Sequence, residues 1–479
     1  MTVILGGGIS GLSAAYYALE NPKLGALTLL EASNRLGGWI RSHRSQNNII
    51  FEKGPRTIRI GTSAGENTLD LIDKLELTDT IIPINSSHPS AKNRLIYANK
   101  KLHVLPNSFG SVFKIKAPFR RPLITVLWND FKAPKVIKED ESIYSFVERR
   151  LGKDVADYLI SPMICGICAG NSKKISVKFL MKSLFEAEQQ YGSIVKGIFK
   201  VTKNKIDQQK NTRSKNLNNT EFQTSAKRSV IEKWSVWSLQ NGLEELPKKL
   251  MDQLSSNSRV NIELNKHCDN ITFKSNGAEL EINGKIKKCS RVISSLPAKT
   301  LAKLVKRQHP QLANELNEIP MVTVGVINLH FNHNILPMEA FGFLVPPSEQ
   351  LPILGVIFDS CMFKQGPATV LTVMLGGDWF EQYFGDNPTK EYLLSVALEN
   401  LRTILNIKDD PVEADVSILK DCIPQYIVGH SQRCDRIRDY ISSHGIPLTL
   451  CGSSYEGVGM SDVILSAKNA IDSLSTTQK

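Results

Sequence analysis

A glycine-rich stretch close to the first residue constrains the fold of this chain more than any other feature. The residues from Val3 to Ala15 read V-I-L-G-G-G-I-S-G-L-S-A-A. The short apolar run over 2–5 predicts a buried strand, and apolar residues recur at helical spacing behind the glycines, at Ile9, Leu12, Ala15 and Leu19. The glycines therefore lie in the turn between a strand and a helix.

Gly6, Gly8 and Gly11 form the pattern G-x-G-x-x-G at this turn. In a nucleotide-binding turn they permit the sharp bend, the approach of a pyrophosphate and the packing of helix on strand, and the helix N-terminus offers N–H groups to phosphates. A second predicted strand over 26–31 ends at Glu31, 20 residues beyond Gly11, where a carboxylate accepts both ribose hydroxyls and repels a 2′-phosphate. The alternative is an ordinary glycine-rich turn with a solvated Glu31. The pattern and its context favour NAD or FAD.

Length and composition bound the architecture and the partners. At 479 residues, with 41% hydrophobic and 22% charged residues, the chain predicts about three folded units. The net charge of +12 favours an anionic partner, which could be nucleic acid, an acidic membrane surface or an anionic small molecule. We find no apolar run of about 18 residues and no signal peptide before the first strand. We expect the eight cysteines to be mostly reduced and Cys165-Gly-Ile-Cys168 to be structural, and we predict no metal site.

The segment over 101–138 mixes apolar and basic residues. Four prolines exclude one long helix, so the segment suits a position in a membrane interface, although a helical subdomain with charged edges is the alternative. The same mixture could bind nucleic acid, but no recognised motif accompanies it, so no nucleic acid partner is predicted. The apolar members are Phe109, Val112, Phe113, Ile115, Phe119, Leu123, Ile124, Val126, Leu127 and Trp128, and the basic members are Lys114, Lys116, Arg120, Arg121, Lys132 and Lys135.

The residues after Glu31 extend the fingerprint. Arg35-Leu-Gly37-Gly38 follows it, as in FAD enzymes of the amine oxidase and carotenoid desaturase type. Together with G-P-R-T-I-R, K-N-R-L-I-Y, C-A-G-N-S, F-G-F-L-V-P, D-C-I-P-Q-Y and S-Y-E-G-V-G, these motifs resemble the protoporphyrinogen oxidase family, and within it the animal mitochondrial type. The match runs in order from Val3 to about Leu474 and is thinnest through a polar stretch over 203–226.

The resemblance implies the cofactor and its contacts. It implies one non-covalent FAD, because Cys451-Gly-Ser-Ser-Tyr455 has serine just before its tyrosine, where monoamine oxidases tether flavin through a cysteine. A helix from about Ser461 would direct its positive end towards the flavin. The implied FAD contacts are Gly6, Gly7, Gly8, Ile9, Ser10, Gly11, Glu31, Ala32, Trp39, Gly54, Pro55, Arg56, Thr57, Cys268, Val458, Gly459 and Met460.

On the substrate side, the resemblance implies a porphyrinogen with two propionates. Arg94 would bind a propionate, Phe341 and Leu344 would enclose the macrocycle with Met374 nearby, and the Gly166 carbonyl would lie near the reacting centre. From the residues alone, Arg94 could equally be a solvated charge and the apolar three could be core. The implied reaction is the FAD-dependent oxidation of protoporphyrinogen IX to protoporphyrin IX, the penultimate step of haem biosynthesis, with dioxygen as oxidant and hydrogen peroxide as product.

The resemblance also implies partners and location. We expect peripheral association with lipid of the mitochondrial inner membrane on the intermembrane-space side, a homodimer and a contact with ferrochelatase. Because Val3 already belongs to the nucleotide fold, we expect an internal, uncleaved mitochondrial address. The rival interpretations are another flavin amine oxidase or desaturase-type enzyme, and a non-catalytic porphyrin or lipid carrier that keeps FAD structurally.

The predicted fold class is α/β. We expect a Rossmann-like FAD-binding domain of the glutathione reductase type, assembled from residues 1–90, 235–298 and 420–479. Its Asn-Gly pairs at 276–277 and 283–284 predict a β-meander, and residues 447–451 predict a further strand. A helical membrane-binding domain is expected over 91–202, a polar insert or connector over 203–234, and a mixed-sheet substrate-binding domain over 299–419.

Overall fold

A computed structural model of the protein describes residues 1–200 and 224–476. Its first layer is a five-stranded parallel sheet, whose strands read as short apolar runs because both faces are covered. The predicted strands over 2–5, 26–31 and 447–451 are confirmed in it, with small changes of bounds. In spatial order the strands are Val260–Glu263, Leu27–Leu30, Thr2–Leu5, Arg291–Ser294 and Leu448–Leu450.

Helices and a small sheet cover the parallel sheet. The predicted final helix is confirmed: Ile464, Ala467 and Ile471 are buried, and Leu474 is partly buried against the same core. The meander predicted from the Asn-Gly pairs is also confirmed. One face carries Ile9–Leu19, Ser63–Lys74, Glu245–Ser255 and Met460–Thr476, and the other carries Ala298–Val305, Pro310–Asn317, His430–Ser443 and the antiparallel strands Cys268–Lys274, Gly277–Ile282 and Lys285–Cys289.

A seven-stranded mixed sheet forms the second large layer. Helices Phe380–Phe384 and Lys390–Leu405 pack against it, together with the short helix Asp359–Met362. The boundaries differ from those predicted, because the hairpin over 95–104 joins this sheet rather than the helical region, and the strand over 413–424 crosses the expected boundary at 419. In spatial order the strands are Glu413–Pro424, Met321–Phe331, Thr369–Gly377, Ile353–Ile357, Gly342–Leu344, Leu95–Ala98 and Lys101–Val104.

A cluster of helices between residues 125 and 191 forms its own apolar core. At its base the fully buried Arg150 and Asp130 form an ion pair, and Asp130 also accepts a hydrogen bond from the Ser193 hydroxyl. Within residues 1–200 and 224–476, no helix has the length and hydropathy that crossing a bilayer requires. The helices are Thr125–Lys132, Ile143–Leu151, Lys153–Val155, Ala156–Ile160, Ser161–Cys168, Val177–Leu180 and Lys182–Tyr191.

Short elements connect the layers. The predicted polar insert over 203–234 lies mostly outside the described residues, and its described end forms the helix Ser225–Ile231. A small sheet of Ile58–Arg59, Trp234–Leu239 and Ile81–Asn85 lies between the two large sheets, beside the hairpin Ser42–Arg44 and Ile50–Glu52. The remaining short helices are Pro22–Leu24, Thr78–Thr80, Pro89–Lys92, Phe109–Phe113 and Pro347–Glu349.

Candidate active site

A cavity of about 1290 Å³ lies between the parallel sheet, the seven-stranded sheet and the helical cluster. It brings together residues that are hundreds of positions apart in the chain. Most of the predicted site residues line it, namely Gly6, Gly8, Ile9, Ser10, Glu31, Ala32, Trp39, Gly54, Pro55, Arg56, Thr57, Gly166, Cys268, Phe341, Met374, Val458, Gly459 and Met460. The other four, Gly7, Gly11, Arg94 and Leu344, contact these lining residues from behind.

The glycine loop closes tightly at the nucleotide end of the cavity. Gly6 has a φ of +97°, which favours glycine, and a Cβ added to Gly11 would lie 1.9 Å from the Gly6 carbonyl oxygen. The Gly37 N–H donates to the Gly7 carbonyl at 2.8 Å, and a Cβ on Gly38 would come within 3.0 Å of the Gly8 Cα. The two glycine motifs therefore pack backbone against backbone.

The helix that begins at Ile9 starts without a side-chain cap. Gly8 precedes it in an extended conformation, and no side chain accepts a hydrogen bond from its first turn. The first N–H groups of a helix have no partner within the helix, so they remain available at the cavity wall. This arrangement fits the diphosphate of a dinucleotide.

Glu31 is held in a fixed orientation beside the loop. One carboxylate oxygen accepts the Gly7 N–H at 2.7 Å, and the other accepts the Ser33 N–H at 2.8 Å and the Ser33 hydroxyl at 2.7 Å. A carboxylate has about four acceptor positions, so capacity remains for further donors. Glu31 also lines the cavity, as a residue that binds ribose hydroxyls must.

We call the part of the cavity that would hold the dinucleotide the nucleotide half. The glycine loop lies at one end of it, and the turn over 453–459, which precedes the last helix, lies at the other. The Tyr426 hydroxyl accepts the Gly457 N–H at 2.7 Å and donates to the Ser453 carbonyl at 2.5 Å, so it spans the turn. The His430 ring stacks on Tyr426 at 3.9 Å, and burial lowers the pKa of His430 to about 4. A neutral, stacked His430 therefore supports Tyr426.

Asp462 lies at the start of the last helix and lines the cavity. It accepts a hydrogen bond from the Gly459 N–H at 3.2 Å, and burial raises the pKa of its carboxyl group. Sequence reasoning missed both Tyr426 and Asp462. Tyr426 stands in the quoted motif D-C-I-P-Q-Y, but no sequence signal connects it to a turn some thirty residues further along.

We call the part of the cavity beside the seven-stranded sheet the substrate half, because the resemblance implies that the substrate binds there. One row of residues of this sheet forms its floor. Cross-strand pairing places Leu344 beside Gly355, Gly355 beside Met374, and Met374 beside Val326. Glycine at position 355 leaves room between its larger neighbours, since a Cβ there would lie 3.0 Å from the Leu344 Cδ2. Met374 and Val326 line the cavity directly. Of the predicted apolar residues in this row, Met374 therefore lies on the cavity surface, whereas Leu344 lies behind that surface, against Gly166.

Gly166 faces this floor from the helix Ser161–Cys168. A Cβ on Gly166 would lie 2.8 Å from the Leu344 Cδ2, so the helix and the sheet approach closely at this point. Gly166 belongs to the last turn of the helix, where carbonyl groups have no donor four residues further along the helix. Leu344 therefore packs against Gly166, which lines the cavity.

The neighbouring thiols of this helix are not exposed. Burial raises the pKa of Cys168 to about 12 and raises that of Cys165 as well. The Cys168 Sγ donates to the Ile164 carbonyl at 3.4 Å, as a buried helical cysteine does. This environment supports the structural interpretation of the C-x-x-C pattern.

Arg94 lies behind Phe341 at the edge of the substrate half. Its guanidinium carbon is 4.0 Å from the centre of the Phe341 ring, and Phe341 lines the cavity. Burial, with a smaller contribution from Arg59, lowers the pKa of Arg94 to about 10. Among the described residues, none forms an ion pair with Arg94. A half-buried cation of this kind suits an anionic ligand.

A buried polar network joins the two halves. The Arg56 guanidinium lies 3.3 Å from Asp359 and donates to the Glu52 carbonyl at 3.0 Å. The Asn328 amide donates to the same carbonyl at 3.2 Å, and the Thr372 hydroxyl lies 2.8 Å from Asn328 and 2.7 Å from Asp359. Arg56 lines the cavity, so this network ties the nucleotide half to the seven-stranded sheet.

The apolar and basic segment exposes much of its apolar surface. The predicted residues Phe109, Phe113, Ile115, Leu127 and Trp128 are exposed, and Phe131 and Ile137 extend the set. Phe119, however, is buried, and Leu123 and Val126 pack against the helical core. These three residues anchor the segment to the rest of the protein.

The fold and the cavity together define a class of protein. A parallel sheet whose glycine loop leads into a helix without a side-chain cap is typical of dinucleotide binding. The cavity beside this loop continues into an apolar chamber formed by a second sheet. Such an arrangement brings an apolar substrate against the reactive end of a redox dinucleotide.

The chain belongs to the family of flavin-containing amine oxidoreductases, which it matches over residues 9–472. Its cofactor is therefore FAD, and it is an oxidoreductase. It is 36% identical to protoporphyrinogen oxidase of Homo sapiens over 485 residues, which cover 99% of this chain and 98% of that protein. It is 31% identical to protoporphyrinogen oxidase of Schizosaccharomyces pombe and 26% identical to coproporphyrinogen III oxidase of Bacillus subtilis, with at least 96% of each chain covered.

Solved structures agree on the fold. A putative protoporphyrinogen oxidase from Exiguobacterium is similar with a TM-score of 0.79 and 24% identity, covering 100% of this chain and 99% of that chain. Cyclohexylamine oxidase from Brevibacterium oxydans is similar with a TM-score of 0.66 and 12% identity, covering 99% and 98%. The α/β fold expected from the sequence is thus the fold of this family.

Proposed function

We propose that the protein oxidises protoporphyrinogen IX to protoporphyrin IX, the penultimate step of haem biosynthesis, with dioxygen as oxidant and hydrogen peroxide as product. The observation that carries this proposal is one continuous cavity, which runs from the glycine loop to an apolar floor. Arg94 lies behind Phe341 on the wall of this cavity and has no ion-pair partner among the described residues. The names of the relatives from human and fission yeast support the same substrate.

Bound FAD supplies a hydride acceptor. The loop from Gly6 to Gly11 would hold its diphosphate and Glu31 would hold its ribose, whereas Cys451 is not among the residues that line the cavity. Cys451 is 1% exposed and points its thiol at the Ser294 carbonyl, so we propose that the FAD is non-covalent. Acid precipitation should then release all flavin into the supernatant.

The substrate half orients the macrocycle. Phe341 and the floor of Leu344 and Met374 offer apolar contacts that exclude water, and Arg94 binds one propionate. The Gly166 carbonyl accepts the pyrrole N–H whose proton is lost as hydride leaves. A strong protein base is not required, because the N–H becomes more acidic in that step.

We also propose that the exposed apolar residues between Phe109 and Ile137 rest on an anionic membrane surface. Neighbouring cations such as Lys114, Lys132 and Lys135 would face the headgroups, each contributing about 1 kcal/mol. This surface supports peripheral membrane binding, and the resemblance implies the inner mitochondrial membrane and its intermembrane-space side. The homodimer and the ferrochelatase contact stay predictions.

Anaerobic mixing of the purified flavoprotein with protoporphyrinogen IX tests the function. We expect the flavin absorbance to bleach. Admission of air should restore the flavin, release hydrogen peroxide and let protoporphyrin fluorescence appear, because the porphyrinogen gives up three hydride equivalents and one flavin accepts only one at a time. An unchanged flavin spectrum would contradict the proposal and favour a porphyrin carrier. Bleaching by an alkylamine, but not by the porphyrinogen, would favour another amine oxidase.

The alternative candidate for the substrate is coproporphyrinogen III, which the name of the Bacillus subtilis relative gives as its substrate. The observation that favours it is that Lys178 and Lys182 add positive charge to the cavity wall. The same mixing experiment with both porphyrinogens compares the two, and we expect faster bleaching by protoporphyrinogen IX.

A further inference from the structure

Arg59 is a cavity residue that the function described so far does not use. It ends the strand Ile58–Arg59, directly after the segment Gly54–Thr57 on the nucleotide side. Ile58 is buried in the core of the parallel sheet, and side chains alternate along a strand, so Arg59 turns to the other face and is exposed. Among the described residues, none forms an ion pair or a side-chain hydrogen bond with its guanidinium. Arg59 is therefore an unpaired cation at the cavity wall.

The neighbours of Arg59 place it at the same edge as Arg94. Arg59 pairs across the small sheet with Val236. Val236 belongs to an apolar cluster against which Phe341 packs, and Phe341 carries Arg94 on its ring. The charge of Arg59 also contributes to lowering the pKa of Arg94, as a nearby like charge does. Arg59 on the cavity wall and Arg94 behind Phe341 thus lie near each other, and neither has an ion-pair partner among the described residues.

We propose that Arg59 is a second carboxylate-binding residue, which together with Arg94 holds the two acid groups of a dicarboxylic substrate. This inference rests on the proposed function. Two cations side by side repel each other, and a ligand with two carboxylates on one edge removes that repulsion while giving each guanidinium a bidentate partner. Two fixed points define the orientation of a rigid macrocycle, whereas one would let it rotate about the Arg94 contact.

Lys178 offers the alternative. It lines the same cavity from the short helix Val177–Leu180 and also has no ion-pair partner among the described residues. Arg59 pairs with Val236, whose apolar cluster includes the Phe341 that carries Arg94, whereas Lys178 belongs to the helical cluster. Two carboxylates on one edge of a molecule therefore match the pair of arginines better than an arginine and this lysine.

The test compares wild-type holoenzyme with the Arg59→Ala, Arg59→Lys and Lys178→Ala variants, using protoporphyrinogen IX and its dimethyl ester. For the diacid we expect Arg59→Ala to raise KM about tenfold, with kcat and FAD content within about twofold of wild type, and Arg59→Lys to recover part of the loss. For the diester, wild type and Arg59→Ala should have the same KM. Fluorescence titration with protoporphyrin IX should show the same pattern in Kd.

Three results would overturn the inference alone while leaving the function intact. They are an unchanged KM for the diacid in Arg59→Ala, an equal rise for diacid and diester, and a larger diacid-specific rise in Lys178→Ala than in Arg59→Ala. An inactive wild-type holoenzyme would instead overturn the proposed function, and this inference with it.

Discussion

The two halves of the cavity are built in different ways. The nucleotide half is a surface of backbone atoms, in which Gly6, Gly8 and Gly11 bring a loop and a helix so close that added Cβ atoms would clash at two of the three positions. The substrate half is a surface of side chains, in which Val326 and Met374 come from different strands of one sheet and Phe341 directly precedes a third strand. The nucleotide half therefore restricts which residue types fit, whereas the substrate half restricts mainly the shape and polarity of the side chains.

This difference affects how each half tolerates change. A backbone surface fails when a single Cβ is added, because neighbouring peptide groups cannot move without shifting a strand or a helix. A side-chain surface can repack, because apolar residues of similar volume substitute for one another at a cost of about 1 kcal/mol. Variants in the nucleotide half should therefore lose cofactor, whereas variants in the substrate half should keep it and lose substrate affinity.

The largest effect is expected for Gly11→Ala. The new methyl group would lie 1.9 Å from the Gly6 carbonyl oxygen, so the first helix must move away from the strand that holds the diphosphate loop. We expect at least a tenfold loss of bound flavin per protein, measured from the visible spectrum of the purified protein. Gly110→Ala is the matched control, since a Cβ at Gly110 meets no atom within 4 Å. Full flavin content in Gly11→Ala would refute the comparison.

Arg94→Ala should have the next largest effect, and in the other half. It removes a charge-assisted contact worth about 1.5–3 kcal/mol, so KM for protoporphyrinogen IX should rise about 10- to 100-fold. Flavin content should stay at the wild-type level, because Arg94 contacts Phe341 and not the glycine loop. Arg94→Lys keeps the charge but loses the planar stack on the ring, and its KM should fall between the two. Loss of flavin in Arg94→Ala would show that the halves are not separable.

The same difference explains how much could be predicted from the sequence. The glycine loop, Glu31 and the meander depend on local spacing, and the structure places them as expected. The prediction of a helical domain over 91–202 is wrong for the hairpin over 95–104, because only tertiary pairing puts this hairpin beside the strand Gly342–Leu344. The row of Leu344, Gly355 and Met374 likewise depends on strand order, which a linear pattern does not show. The resemblance names Leu344 and Met374 but not Gly355, and the roles that it implies for them stay predictions.

Tyr426 tests the boundary between the halves, since it follows the strand Glu413–Pro424 of the seven-stranded sheet yet spans the turn over 453–457. Tyr426→Phe leaves the Gly457 N–H without its acceptor, which should cost about 1–3 kcal/mol. We expect flavin affinity to fall about tenfold, measured by titration of the apoprotein with FAD, and KM for the substrate to stay unchanged. Tyr158→Phe is the control, because Tyr158 makes an edge contact with Phe119 but no side-chain hydrogen bond among the described residues. A change in KM without a change in flavin affinity would assign Tyr426 to the substrate half.

Glu52→Gln has the smallest expected effect. Glu52 belongs to the buried polar network that connects the nucleotide half to the seven-stranded sheet. Burial raises the pKa of Glu52 to about 7, although the Leu243 N–H and the Ser42 hydroxyl donate to its carboxylate. The folded protein therefore binds this proton more tightly than the unfolded chain, whose pKa is about 4.3, so the free energy of unfolding should fall by about 1 kcal/mol between pH 6 and pH 8. Glu52→Gln mimics the protonated form, and its free energy of unfolding, measured with denaturant, should lack this fall while KM and flavin content stay unchanged. An equal fall in the free energy of unfolding of both proteins would mean that another group titrates. Glu52 would then make no pH-dependent contribution to the connection between the two halves.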